Sequence, residues 1–224
     1  MITYNRIAEY WDNVFGKTET GPVKTPDIGH DDLNRALDWL CDNSDSILDF
    51  GCGNGIFLFK CCMRGTKTHR GIDISGEAIR VAREIQKLSG IEGFAFSTGG
   101  VEELKTISDN SFDGVILSNI IDNLYPADAI KVLAEAKRIL RTGGKLLVKL
   151  NPYLTDEKIR ELNIRVIENN FLDDGLYLWN QTTGEWTGLL KDYFSIAEYK
   201  EIYYPEHDQY NRLFLLRNEK KIVK

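Results

Sequence analysis

Between residues 46 and 150 the chain alternates short apolar runs with helical stretches, and few folds tolerate that rhythm. SILDF (46–50), HRGIDIS (69–75), GFAFST (93–98), FDGVILSN (112–119) and KLLVKLNP (145–152) read as strands. IFLFKCCMR (56–64) reads as a buried helix. Ser75 is a plausible N-cap for GEAIRVAREIQKLSG, which Gly90 closes. Pro126 opens a further helix through Leu140, and RTGG (141–144) reads as a turn. Strands joined through helices pair in parallel, so an α/β fold with helices on both sheet faces is expected.

The C-terminal third breaks the pattern. Thr182 and Glu185 form a capping box ahead of a helix in TTGEWTGLLKDYF. SIAEYKEIYY and DQYNRLFLLR, joined by PEH (205–207), predict an antiparallel pair at the sheet edge. The block 152–181 predicts a helix over about 155–169 and then an aromatic stretch, GLYLWN. With no repeat and no low-complexity linker, one domain spans 1–224. Its parts are an N-terminal helical lid (1–44), a binding core (45–150), an insertion on the acceptor side (151–181) and a C-terminal helix and strand pair (182–224).

The loop after the first strand, in ILDFGCGNG (47–55), sits where open parallel sheets bind ligands. Its spacing is Gly51-x-Gly53-x-Gly55, and Ile56 stands where the dinucleotide fingerprint needs its third glycine. No GK[ST] follows, so a triphosphate cradle is also unsupported. Asp49, two residues before the loop, would repel a pyrophosphate and suit an ammonium or sulfonium group. Asp73, at the end of the second strand, is placed to accept both hydroxyls of a ribose. A ribose diol, a cationic centre and an amino-acid tail together describe S-adenosyl-L-methionine.

Composition narrows the partners. The net charge is -6, which disfavours unaided nucleic-acid binding. No apolar run is long enough to span a membrane, and the first residues do not read as a secretory signal. A cytoplasmic setting is expected, with Cys41, Cys52, Cys61 and Cys62 as reduced, mostly buried thiols. Their spacing does not suit a metal site. A thiophilic substrate such as arsenite or mercury is the sharper reading of the same four residues. Oligomeric state is not legible.

ILDFGCGNG, GIDIS, EELKTISDNSFDGVILSNIIDNL and LRTGGKLLV, in that order, resemble class I S-adenosylmethionine-dependent methyltransferases, of the ubiquinone/menaquinone C-methyltransferase-like branch. The resemblance implies a Rossmann-like, seven-stranded, mostly parallel sheet with an antiparallel C-terminal strand pair. It implies methyl transfer to a small-molecule acceptor, with S-adenosyl-L-homocysteine as product. Asp49, Gly51, Cys52 and Gly53 would line the methionine end, Asp73 would hold the ribose, and Ile74 would lie under the adenine. Gly100, Val101 and Glu102 fall in the adenine-contact loop, where relatives often carry aspartate at the position of Gly100. Ser118 and Asn119 would face the methyl group.

Asp122 and His30 are the candidate acid–base residues, although each also reads as a surface or capping residue. Tyr10, Trp11, Asn151, Tyr153 and Trp179 are candidates for the acceptor pocket, with packing as the plainer reading. Two other functions fit the same motifs: methylation of protein or RNA with a partner subunit, and cofactor sensing without turnover. NPY (151–153) follows the fifth strand and lacks a second proline, which argues against the NPPY motif of amino-group methyltransferases.

Overall fold

The computed structural model describes residues 4–219. In chain order the elements are α1 (Asn5–Phe15), α2 (Asp31–Cys41), β1 (Ser46–Phe50), α3 (Ile56–Cys62), β2 (Thr68–Asp73), α4 (Gly76–Ser89), β3 (Phe94–Thr98), α5 (Val101–Leu104) and β4 (Phe112–Ser118). A 3₁₀ turn (Ile121–Asn123) leads to α6 (Pro126–Ile139), β5 (Leu140–Leu150), α7 (Asp156–Glu161), β6 (Arg165–Glu168), β7 (Phe171–Asp173), β8 (Tyr177–Trp179), α8 (Thr183–Tyr193), β9 (Ser195–Tyr204) and β10 (Gln209–Arg217).

The main sheet has seven strands in the order β3-β2-β1-β4-β5-β10-β9. The first five are parallel, while β10 runs antiparallel to both β5 and β9. The expected fold is therefore the observed one. Strand order reverses between β1 and β4, which opens a crevice at their carboxyl ends.

The period-2 alternation of each strand sorts its side chains into two cores. Leu48, Phe50, Val115, Leu117, Leu146 and Val148 pack toward α5, α6 and α8. Ile47, Ile116, Leu147, Leu213 and Leu215 pack toward α2, α3 and α4. The Ser75 cap, the left-handed Gly90 and the Thr182–Glu185 capping box all form as expected.

Three segments depart from expectation. The block 155–169 is helical only through Glu161, because left-handed Asn163 (φ 53°) ends the helix and the β-branched run after it enters β6. Strands β6, β7 and β8 form a separate antiparallel sheet, in which GLYLWN supplies β8. RTGG lies inside the long β5, with a register shift opposite Phe112 and Gly114.

In β2, His69 is buried against Phe94 at 4.3 Å between ring centres. Its Nδ1 donates to the Gly93 carbonyl at 3.2 Å, and its Nε2 accepts from Thr66 Oγ1 at 2.7 Å. Burial pushes its pKa down to about 4, partly offset by the Gly93 bond. The neutral ring thus contributes stability above the ordinary histidine range, and that contribution disappears as pH falls through 4. In urea unfolding from pH 7 to pH 4, wild type should lose up to about 3 kcal/mol of stability relative to His69→Phe. A margin that does not change with pH would contradict a neutral buried ring.

Candidate active site

The glycine loop is held by the end of β2. Gly51 and Cys52 N–H groups donate to the Ile72 carbonyl at 2.8 and 3.0 Å. Gly53 N–H donates to Asp73 Oδ2 and Ser75 N–H to Asp73 Oδ1, each at 2.8 Å. Burial raises the Asp73 pKa and these backbone donors lower it. Each carboxylate oxygen keeps lone-pair capacity for another donor.

A cavity of about 180 Å³ lies over this loop. Gly51, Gly53, Asp73 and Ile74 form its floor, Gly99, Gly100 and Val101 one side, and Ser118, Asn119, Ile120 and Asn123 another. Helix α1 roofs it with Tyr4, Ile7, Trp11 and Phe15. This helix is fastened at both ends. Near its C-terminal end, Asp12 Oδ1 accepts from Ser75 Oγ (2.6 Å) and Glu77 N–H (3.1 Å). At its N-terminal end Tyr4 OH donates to Asp128 at 2.8 Å, and Arg6 pairs with Asp173 at 2.9 Å. Tyr4, Tyr125, Phe171 and Tyr177 form one aromatic cluster, so the small sheet braces the roof. Helix α2 instead packs on the sheet face through Leu33, Leu37 and Leu40, so the roof is narrower than 1–44.

Several candidates fall outside the cavity. Asp49 is buried below the loop with Oδ1 lacking a partner, and burial with the nearby Asp73 charge holds its carboxyl well above the usual range. Cys52 is buried, its thiol directed to the Gly53 carbonyl. Glu102 is exposed and pairs with Lys105 at 2.6 Å, away from the cavity. Tyr10 is exposed, its ring meeting Trp11 edge-on. Tyr153 lines a different depression with Val166 and Leu172. Trp179 is buried against Trp186 and serves the core.

The two candidate acid–base residues are also displaced. His30 caps α2: its Nδ1 accepts from Asp32 N–H, and its Nε2 donates to the Tyr203 carbonyl at 3.0 Å. It ties α2 to the edge strand, so both ring nitrogens are occupied and neither faces the cavity. Asp122 is completely buried, and burial lifts its pKa to about 6. It accepts from Asn151 N–H (2.6 Å) and Asn151 Nδ2 (3.1 Å), behind the wall formed by Asn119 and Asn123. Among the described residues no group of three His, Cys, Asp or Glu is placed to hold a metal ion.

Tyr4 and Phe15, aromatic residues of the N-terminal segment expected to close over the cofactor, line the cavity; Ile7, Ile120 and Asn123 line it too and were not singled out from sequence. The stripe 4, 7, 11, 15 follows helical spacing and carries the signal that was available.

A family model described as a methyltransferase domain matches residues 42–190, well over half of the chain. The chain belongs to this family. It carries a class I S-adenosylmethionine-dependent methyltransferase domain. It is 28% identical to a ubiquinone biosynthesis O-methyltransferase of Neisseria meningitidis, over 67% of this chain and 61% of that protein. It is 24% identical to human EEF1A lysine methyltransferase 2, over 69% of this chain and 72% of that protein. The fold matches that of the 1,6-didemethyltoxoflavin-N1-methyltransferase of Burkholderia thailandensis, solved with S-adenosylhomocysteine bound. There the TM-score is 0.68 and identity 16%, covering 98% of this chain and 92% of that one. The chain thus spans 61% and 72% of the two curated relatives, whose acceptors differ in kind.

Gly53 joins loop and roof. Its φ is +52°, and a Cβ there would stand 3.0 Å from Phe15 Cζ. Gly53→Ala should lower stability by about 1–2 kcal/mol through backbone strain, and more where Phe15 cannot move aside. Thermal melts of Gly53→Ala with and without Phe15→Leu separate the two parts. An unchanged melting temperature in Gly53→Ala would refute the contact.

Proposed function

We propose that this domain methylates a small-molecule acceptor inside the chamber roofed by α1. The observation that carries this reading is the fastened aromatic roof, which leaves a partly covered and largely apolar space over the glycine loop. A macromolecular acceptor would need an open groove at this place. The net charge of -6 adds no attraction for RNA.

The residues present fit the methyl donor. Asp73 has lone pairs left for a ribose diol, and Gly51 and Gly53 present main chain without side chains to the methionine end. Ile74, Gly100 and Val101 offer an apolar slot for the adenine, where Gly100 has open space within 4 Å of a would-be Cβ. Asp49 acts from below the loop: its partnerless Oδ1 gains from a cationic centre above, which would draw its raised pKa back down. When bound, S-adenosylmethionine supplies an activated methyl group on sulfur, so the protein's task is alignment and exclusion of water. Trp11, Phe15 and Ile7 exclude water, while Ser118, Asn119 and Asn123 bring polar groups to the reacting end. A cavity of about 180 Å³ falls below the range of roughly 300–1,000 Å³ usual for cofactor-sized ligands.

Asp73→Ala should weaken S-adenosylhomocysteine binding by about 2–4 kcal/mol in calorimetry, the worth of two charge-assisted hydrogen bonds. Unchanged affinity would remove the ribose assignment. For the acceptor, the full chain is incubated with methyl-labelled donor and a cell extract, and products are separated by size. Label in the small-molecule fraction is the expected result. Label confined to protein or RNA would favour a partner-directed enzyme, and donor binding with no product in any fraction would favour a sensor.

A further inference from the structure

The polar wall of the cavity has a fixed hydrogen-bond direction, and its source lies outside the cavity. Asp122, when ionised, can only accept, and its Oδ2 takes both Asn151 N–H (2.6 Å) and Asn151 Nδ2 (3.1 Å). The same Nδ2 donates its other hydrogen to Asn123 Oδ1 at 2.8 Å. With both amide hydrogens used, Asn151 can offer only its carbonyl oxygen to the next residue. Asn119 answers with its amide nitrogen, Nδ2 to Asn151 Oδ1 at 2.7 Å. Flipping either asparagine would set oxygen against oxygen or nitrogen against nitrogen.

The backbone holds this arrangement from both sides. Asn119 is left-handed (φ 53°), its N–H bonded to the Lys149 carbonyl at 2.7 Å. Arg212 Nε donates to the Asn151 carbonyl at 2.9 Å and Nη1 to the Gln181 carbonyl at 2.7 Å. The chain of bonds leaves Asn119, a residue that lines the cavity, with a side-chain carbonyl oxygen that has no partner among the described residues.

We infer that Asn119 Oδ1 is the recognition point for the acceptor's nucleophilic atom, that this atom is an uncharged nitrogen bearing hydrogen, and that Asp122 is the positioning residue that orients it through Asn151. The inference rests on the methyl-transfer reading above and names its substrate class. Two observations select nitrogen. A carbonyl oxygen accepts and cannot donate, so it recognises an N–H or O–H and not a thioether or a bare carbon. Among the described residues lining the cavity the one carboxylate, Asp73, is tied to the loop through Gly53 and to α4 through Ser75. Asp122 and His30 do not reach the cavity. A hydroxyl would need a base before attack, whereas a neutral amine or amino-heterocycle would not.

The step balances without a protein base. The nitrogen lone pair forms the new N–C bond as the methyl–sulfur bond breaks, its electron pair passing to sulfur. Positive charge moves from sulfur to nitrogen, and the extra N–H proton is lost to water after release. As the nitrogen becomes cationic its N–H bond to Asn119 Oδ1 strengthens, so this contact favours the transition state over the ground state.

The test uses the full chain saturated with S-adenosylhomocysteine and two uncharged probes of similar shape, aniline and N,N-dimethylaniline. Dissociation constants are measured by calorimetry. Aniline should bind about tenfold tighter, the effect of one hydrogen bond to an otherwise unpaired carbonyl. In Asn119→Ala, kept saturated with S-adenosylhomocysteine, the two probes should bind equally. Asp122→Ala should shrink the preference, and Asp122→Asn, which keeps a side-chain carbonyl at this place, should restore it. Equal binding of the probes to wild type, a preference that survives Asn119→Ala, or failure of loaded protein to bind either probe would overturn the inference. A preference untouched in a folded Asp122→Ala chain would remove Asp122 from it. A wild-type chain that binds no S-adenosylhomocysteine would instead overturn the methyl-transfer reading.

Discussion

One carboxylate organises the ligand-binding end of the sheet. Asp73 accepts from Gly53 N–H in the loop and from Ser75 N–H at the start of α4, so it fixes two elements to the end of β2. Ser75 then caps α4 through Ala78 N–H and, by its hydroxyl, holds Asp12 of the roof. Loop, helix and roof thus share one chain of bonds that starts at a buried charge. Burying that charge is unfavourable by itself, and the backbone donors offset part of the penalty. The loop's shape depends on the strand next to it as well as on its own glycines.

Much of this was legible in the residues. The five-fold alternation specifies the parallel sheet because each strand can reach its neighbour only over a helix. Asp49 and Asp73 were visible because acids at strand ends beside a glycine loop have few other uses. The illegible parts share a cause, namely that burial and partners lie far away in sequence. His30 looked available until Tyr203, 173 residues away, took one ring nitrogen. Asp122 looked like a residue near a helix start, yet Asn151 and Arg212 from two other strands' ends enclose it. Residues 155–169 have helical composition, but the helix stops at Glu161, and left-handed Asn163 and the pairing of Val166 with Leu172 turn the rest into the first strand of a hairpin.

The buried polar cluster behind the cavity follows a different logic from the apolar cores. Asp122 Oδ1 and Arg212 Nη2 are buried without partners among the described residues, so this cluster is not optimised for stability alone. An apolar set of the same volume would pack with less penalty. What the polar set adds is direction. A row of amides terminated by a carboxylate has one orientation, and a pocket wall built on it presents one face to whatever enters.

The roof has a kinetic side. Helix α1 meets the rest of the protein through a few polar bonds at its ends and an aromatic stripe along its length. Its rim contacts are partly exposed and individually weak, while the stripe is largely apolar and half-buried. A ligand lying beneath the stripe is shielded from water on that side, so loosening this one helix would change its exposure and its exchange together.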